Sequence, residues 1–150
     1  MAARRRSSGR DIADALGRPI PFASHLGIQL VEQAGGRCVL MLQLRPEHMN
    51  RFEVAHGGVV MTLLDIAMAL AVSSLDAKAL GTITVEMKSM FMAPATGTVT
   101  VEGRCLHLGK SVSLCEGKVR GPDGKLLATG SGTFMLRHAR AGKAGERKPA

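Results

Sequence analysis

Apolar and polar residues alternate through positions 82–88, with Ile83, Val85 and Met87 on one side and Thr84, Glu86 and Lys88 on the other. That period of two predicts a strand over 82–92, closed by Pro94 and Gly97. The runs 98–108, 111–120 and 125–136 read as further strands, separated by Gly109-Lys110 and by Gly121-Pro122-Asp123-Gly124. Upstream, 27–35 and 37–44 are two more, meeting at the hairpin signal Gly35-Gly36, and Pro46 ends the second. Residues 11–26 predict one or two short helical turns, interrupted by Pro19 and Pro21. The only long helix candidate is 57–75, and it is apolar on nearly every side, which predicts burial all round. Two strands, a helix and four strands joined by short turns predict an α+β domain, an antiparallel sheet around a central helix.

A chain of 150 residues holds one ordinary domain, and 45% apolar with 21% charged residues excludes wholesale disorder. With no Trp, no Tyr and four Phe, it lacks the aromatic platforms that read single strands by stacking. The net charge of +8 resolves by position: +3 in residues 1–18, +4 in 137–150 and only +1 between them. A nucleic-acid-binding role therefore rests on two basic tails alone. Cys38, Cys105 and Cys115 have no CxxC spacing and sit in apolar runs, which predicts buried, inert thiols. The five His residues show no metal-ligand spacing, so no metal site is expected. No apolar stretch follows the basic start, as a secretory signal requires, and Asp11 and Asp14 interrupt its transit-peptide-like composition. The longest apolar run, 59–72, is too short to span a bilayer and holds Asp65. A soluble, cytoplasmic protein that does not bind membranes is expected.

The chemistry gathers in Asn50-Arg51-Phe52-Glu53-Val54-Ala55-His56-Gly57-Gly58 and the helix that follows. Two glycines at a helix start allow close backbone approach, and the N–H groups there lack intrahelical partners and favour negative charge. A developing oxyanion suits such a site. Asp65 lies on an apolar stripe with Met61, Met68 and Val72. A carboxylate there must be paired, must line a cavity or must have a raised pKa, each of which marks a functional candidate. Eight residues of helix separate Gly57 from Asp65, about 12 Å along the axis. One helix does not bring both to one reacting carbon, whereas two antiparallel copies do. If the site is catalytic, a dimer with sites astride its interface is predicted.

Asn50, then His56-Gly57-Gly58, then Asp65 seven residues after the second glycine resembles the phenylacetate-type (PaaI-like) branch of the hotdog-fold acyl-CoA thioesterases. The likeness continues through Thr84-Val85-Glu86-Met87, Ala93-Pro94-Ala95, Gly109-Lys110-Ser111 and the closing GKLLATGSGTF, covering roughly 25–136. It implies a hotdog domain over 25–136, and composition adds a basic segment with helical turns at 1–24 and a basic tail at 137–150 that is expected to be disordered. It also implies homodimers that pair into tetramers, and hydrolysis of acyl-CoA with no cofactor beyond the CoA of the substrate. Carried over, Gly57 N–H polarises the thioester carbonyl with help from Asn50. Asp65 of the partner chain is general base or nucleophile, Thr84 helps place the water, and His56 supports the loop. Glu53 departs from the pattern, because many members place Gly there, and this puts the loop's substrate role in question. Gly58, Arg51, Lys88, Lys110 and Ser111 are candidate substrate contacts, the basic ones for CoA phosphates. Met61, Met68, Met90 and Met92 are candidates for an adaptable acyl pocket. A non-catalytic acyl-CoA-binding protein is the alternative, and a hotdog dehydratase a more distant one.

Overall fold

Gly35 and Gly36 both take positive φ, 55° and 82°, and form the two-residue turn whose twist suits a right-handed strand pair. The hairpin they close opens the fold of the computed structural model, which describes residues 9–139. Its elements are β1 (Arg10–Asp11), α1 (Ile12–Leu16), α2 (Pro21–Leu26), β2 (Gln29–Ala34) and β3 (Arg37–Gln43). A 3-10 turn (Pro46–His48) and α3 (Gly57–Ser73) follow, then β4 (Gly81–Phe91), β5 (Thr98–Leu108), β6 (Ser113–Arg120) and β7 (Leu126–Arg137). One antiparallel sheet runs β1-β2-β3-β5-β6-β7-β4 and wraps α3, the helix-in-sheet architecture of the hotdog fold.

The inward positions of the strands build the core: Cys38, Leu40 and Leu42 from β3, Val99 and Val101 from β5, Val119 from β6 and Phe134 from β7. They pack against Leu63, Leu64, Ala67, Met68, Ala71 and Val72 of α3, none of which is exposed. Glycine sets how close helix and sheet come. A Cβ on Gly103 would overlap the Ala67 carbonyl, and one on Gly117 would stand 2.8 Å from a Leu64 methyl.

Three expectations change. The helix is not buried all round within one chain: Gly58 and Met61 are exposed, and Thr62, Asp65, Ile66 and Ala69 are half-buried along one stripe beside β4. Only one edge strand flanks that stripe, so the sheet wraps the helix incompletely. Residues 10–24 belong to the fold more closely than a basic segment with helical turns implies. β1 pairs with β2, the Asp11 carboxylate accepts from Ala13 N–H at 2.9 Å to cap α1, and Ile12 and Ala23 are wholly buried. Third, Cys105 is half-buried rather than buried. Cys38 and Cys115 are buried, which pushes both thiols up to about 12 and removes them as nucleophiles at neutral pH. Of the two basic tails, residues 1–8 and 140–150 lie outside the described residues. Among the described residues, no helix is long and apolar enough to cross a membrane.

Candidate active site

The start of α3 leaves one backbone donor free. His56 is its N-cap, and its Nδ1 accepts the Gly58 N–H at 2.9 Å. The His56 carbonyl takes the N–H groups of Val59 and Val60 at 2.9 and 3.3 Å. Of the first four amides of the helix, only that of Gly57 has no partner among the described residues. Asn50 is held by its own Asx turn: its Oδ1 accepts the Phe52 N–H at 2.8 Å, which leaves the side-chain NH2 as a donor. Asn50 and Gly57 line one cavity of about 410 Å³, together with Val54, Val60, Phe91, Met92 and Leu127 and, among the described residues, with no charged side chain. Two hydrogen-bond donors facing a neutral, apolar space form a place for a polarised carbonyl oxygen. The loop between them turns at Glu53, whose φ of 58° makes it the one non-glycine residue with positive φ among the described residues. Glu53 thus keeps the backbone shape that a glycine would supply, so the departure from the family pattern leaves the turn intact.

Asp65 lies on the open stripe, and it is paired. Its Oδ1 accepts from the Thr84 hydroxyl at 2.6 Å, across from α3 to the edge strand β4. Thr84 stands abreast of Phe134 and Ser113, whereas the cavity meets β4 at Phe91, the far end of that strand. Within one chain the structure therefore brings Asn50 to Gly57 and Thr84 to Asp65, but not the first pair to the second. The 12 Å spacing along the helix stands.

Residues 52–128, more than half of the chain, match the thioesterase superfamily. The chain belongs to that superfamily. The match takes in Gly57, Asp65 and Thr84 and begins two residues after Asn50. A conserved protein of Pseudomonas aeruginosa with a solved structure is 31% identical, with a TM-score of 0.74 over 79% of this chain and 94% of that one. Acyl-coenzyme A thioesterase 13 of Homo sapiens is 28% identical over 131 residues, 85% of this chain and 93% of its own length. The PaaI protein of the Escherichia coli phenylacetic acid degradation operon is 22% identical with a TM-score of 0.74, over 83% of this chain and 89% of that one. That last likeness shows the fold alone. The hotdog fold read from HGG and Asp65 is the fold this superfamily chain adopts.

The remaining candidates divide. Gly58 spends its N–H on the His56 cap, so it carries no free donor. Arg51 is exposed on the Asn50 loop with its guanidinium 4.6 Å above the Phe52 ring. Lys88 lies on the outer face of the sheet, beside Glu116 and Lys118 and away from the cavity. Lys110 and Ser111 occupy the β5–β6 turn, next to Ser113 and so level with Thr84 rather than with Asn50. Among the four methionines, Met92 lines the cavity. Met68 is fully buried in the core, Met61 is exposed on the open stripe, and Met90 is exposed on the outer face. The cavity wall is instead made by Val54, Val60, Phe91 and Leu127, which no spacing in the sequence groups together. One buried polar residue beside the site, His48, carried no signal beyond its type.

Proposed function

We propose that the protein hydrolyses acyl-CoA thioesters to the free acid and CoA, in a homodimer whose two sites each draw on both chains. The free Gly57 N–H beside Asn50, in a cavity without charge, carries this reading. Both donors point charge-stabilising hydrogen bonds at a thioester oxygen that becomes negative as the carbonyl is attacked. The apolar wall receives the acyl group, and desolvation there strengthens both bonds. Asp65 of the second chain, held by Thr84, acts on water as general base or attacks the carbonyl itself as nucleophile. In either case the thiolate of CoA leaves, and water supplies the oxygen of the acid.

The dimer follows from reach. Two α3 helices running antiparallel along their open stripes bring the Gly57 of one chain toward the Asp65 of the other. Arg51, at the lip of the Asn50 loop, is the first candidate for a CoA phosphate. Lys110 and Ser111 sit with the Asp65 half, and Lys88 lies too far round the sheet to serve the same cavity. Pairing of dimers into tetramers would cover outward-facing Leu106, Leu114 and Met135, each more than two-fifths exposed.

The test is thiol release over a panel of acyl-CoAs, aromatic and aliphatic, with Asp65→Ala as control. We expect turnover for uncharged acyl groups and a loss of about 10²–10⁴ in kcat for the variant. Turnover that survives Asp65→Ala unchanged refutes the mechanism. Tight binding of acyl-CoA without turnover marks the protein as a binder instead.

A further inference from the structure

The loop that presents Asn50 and leads into α3 is anchored on a histidine that touches no part of the cavity. His48 is 1% exposed, so its ring must find its partners within the protein. Nδ1 accepts the Arg45 N–H at 3.1 Å. A neutral ring then carries its proton on Nε2, which faces the Leu26 carbonyl at the end of α2. Arg45 crosses the same space: its Nη2 lies 3.2 Å from the His25 carbonyl, 3.5 Å from that of Leu26 and 3.5 Å from Nε2 of the ring.

From the ring, the connection to the site is a short run of hydrogen bonds. The His48 carbonyl accepts the His56 N–H at 2.8 Å, and Met49 pairs with Ala55 directly above it. Asn50 N–H bonds the Val54 carbonyl at 2.8 Å, closing the loop tip that carries the Asx turn. His56 in turn caps Gly58 and so decides which amide of α3 stays free. The loop is thus a closed ring of backbone whose base is His48.

Only the neutral imidazole fits this place. A proton on Nδ1 removes the acceptor for Arg45 N–H and sets a cation beside the Arg45 guanidinium in a buried site. The charged and titratable groups facing the ring are Arg45 and Glu47 from its own turn and His25 from α2. Burial first, and then Arg45, hold the His48 pKa below the usual histidine value, with the Glu47 carboxylate and the Leu26 carbonyl opposing. A group whose pKa is depressed by folding contributes stability above its unfolded pKa and loses it as pH falls through the folded one. The anchor is therefore firm at neutral pH and released in acid.

We propose that His48 is the positioning residue of the Asn50–Gly57 donor pair, and that its protonation frees the 48–56 loop and gives hydrolysis an acid limb that does not originate in Asp65. This rests on the reading of Asn50 and Gly57 as the groups that polarise the carbonyl.

Two variants and two readouts test it. His48→Asn keeps an acceptor where Nδ1 stood but has no proton to gain, and His48→Leu keeps neither. The first readout is hydrogen exchange of the Asn50 and His56 amides against pH, corrected for intrinsic rates, which needs no catalysis. The second is the pH profile of kcat. In the parent chain, protection of both amides should fall about tenfold or more as pH drops through the folded pKa of His48, about the worth of one buried hydrogen bond. His48→Asn should hold its protection and its kcat through that range. His48→Leu should exchange fast at every pH and lose kcat by about tenfold with little change in KM. An acid limb that persists in His48→Asn in both readouts overturns the proposal, as does parent-like exchange in His48→Leu. If the parent chain turns over no acyl-CoA, only the hydrolase reading falls, and the exchange data still decide whether His48 anchors the loop.

Discussion

The two ends of the α3 segment 57–65 are built in opposite ways. At Gly57 the helix start, though exposed at Gly58, is enclosed on its loop side: a loop closed by three backbone bonds, a histidine cap, a buried imidazole beneath and an apolar cavity in front. At Asp65 the helix faces outward, and among the described residues a single side-chain bond to Thr84 on an edge strand holds the carboxylate. Preorganised donors must be rigid, because their contribution depends on not having to move as charge develops. A carboxylate that attacks or deprotonates must instead be reachable. The enclosed end is complete in one chain, while the open end has only one of its walls.

The sharpest way to break this comparison is to damage each end without disturbing its framework. Asn50→Asp keeps the Oδ1 that accepts from Phe52 N–H but replaces the free donor with a charge, so the loop should fold and kcat should drop about 10²–10³. A fall in stability in place of kcat would mean that Asn50 serves only the turn. Mixing decides whether the two ends belong to one chain or two. Asp65→Ala and Asn50→Asp chains, each inactive alone, should on co-refolding in equal amounts recover about a quarter of parental activity, since half the dimers then carry one intact site. No recovery, with mixed dimers verified by native mass spectrometry, places both ends of a working site in the same chain.

The smallest effect concerns the strain inside the enclosed end. Glu53 at φ 58° holds a left-handed backbone that costs roughly 1–2 kcal/mol for a residue with a Cβ. Glu53→Gly relieves this but adds unfolded-state entropy, so a net gain of about 0.5 kcal/mol is expected in denaturant unfolding. A loss of stability would show that the Glu53 side chain contributes more to the loop than its backbone strain removes.

Much of this was legible beforehand. The alternation at 82–88 located β4, the paired glycines located the first hairpin, and the HGG and Asp65 spacing pointed to the superfamily. The helix misled in one respect, because an apolar composition on every side cannot say whether the covering surface belongs to the same chain. The methionines misled in another. Met68, seven residues after the exposed Met61, is itself buried against the sheet, while Phe91 and Leu127 reach the cavity from two strands distant in sequence. His48 was one histidine among five, since nothing local distinguishes a ring that will be buried between α2 and a 3-10 turn.

By itself the sequence determined the elements, their order and the 12 Å between Gly57 and Asp65, because these depend on side-chain periodicity and on the fixed rise of a helix. Tertiary structure alone decided which amide at the helix start stays free, which carboxylate oxygen Thr84 holds, and that the His48 ring is buried beneath the loop. Each of those goes with an allocation of hydrogen bonds among groups far apart in the chain. Such an allocation exists only once burial has removed water as the competing partner.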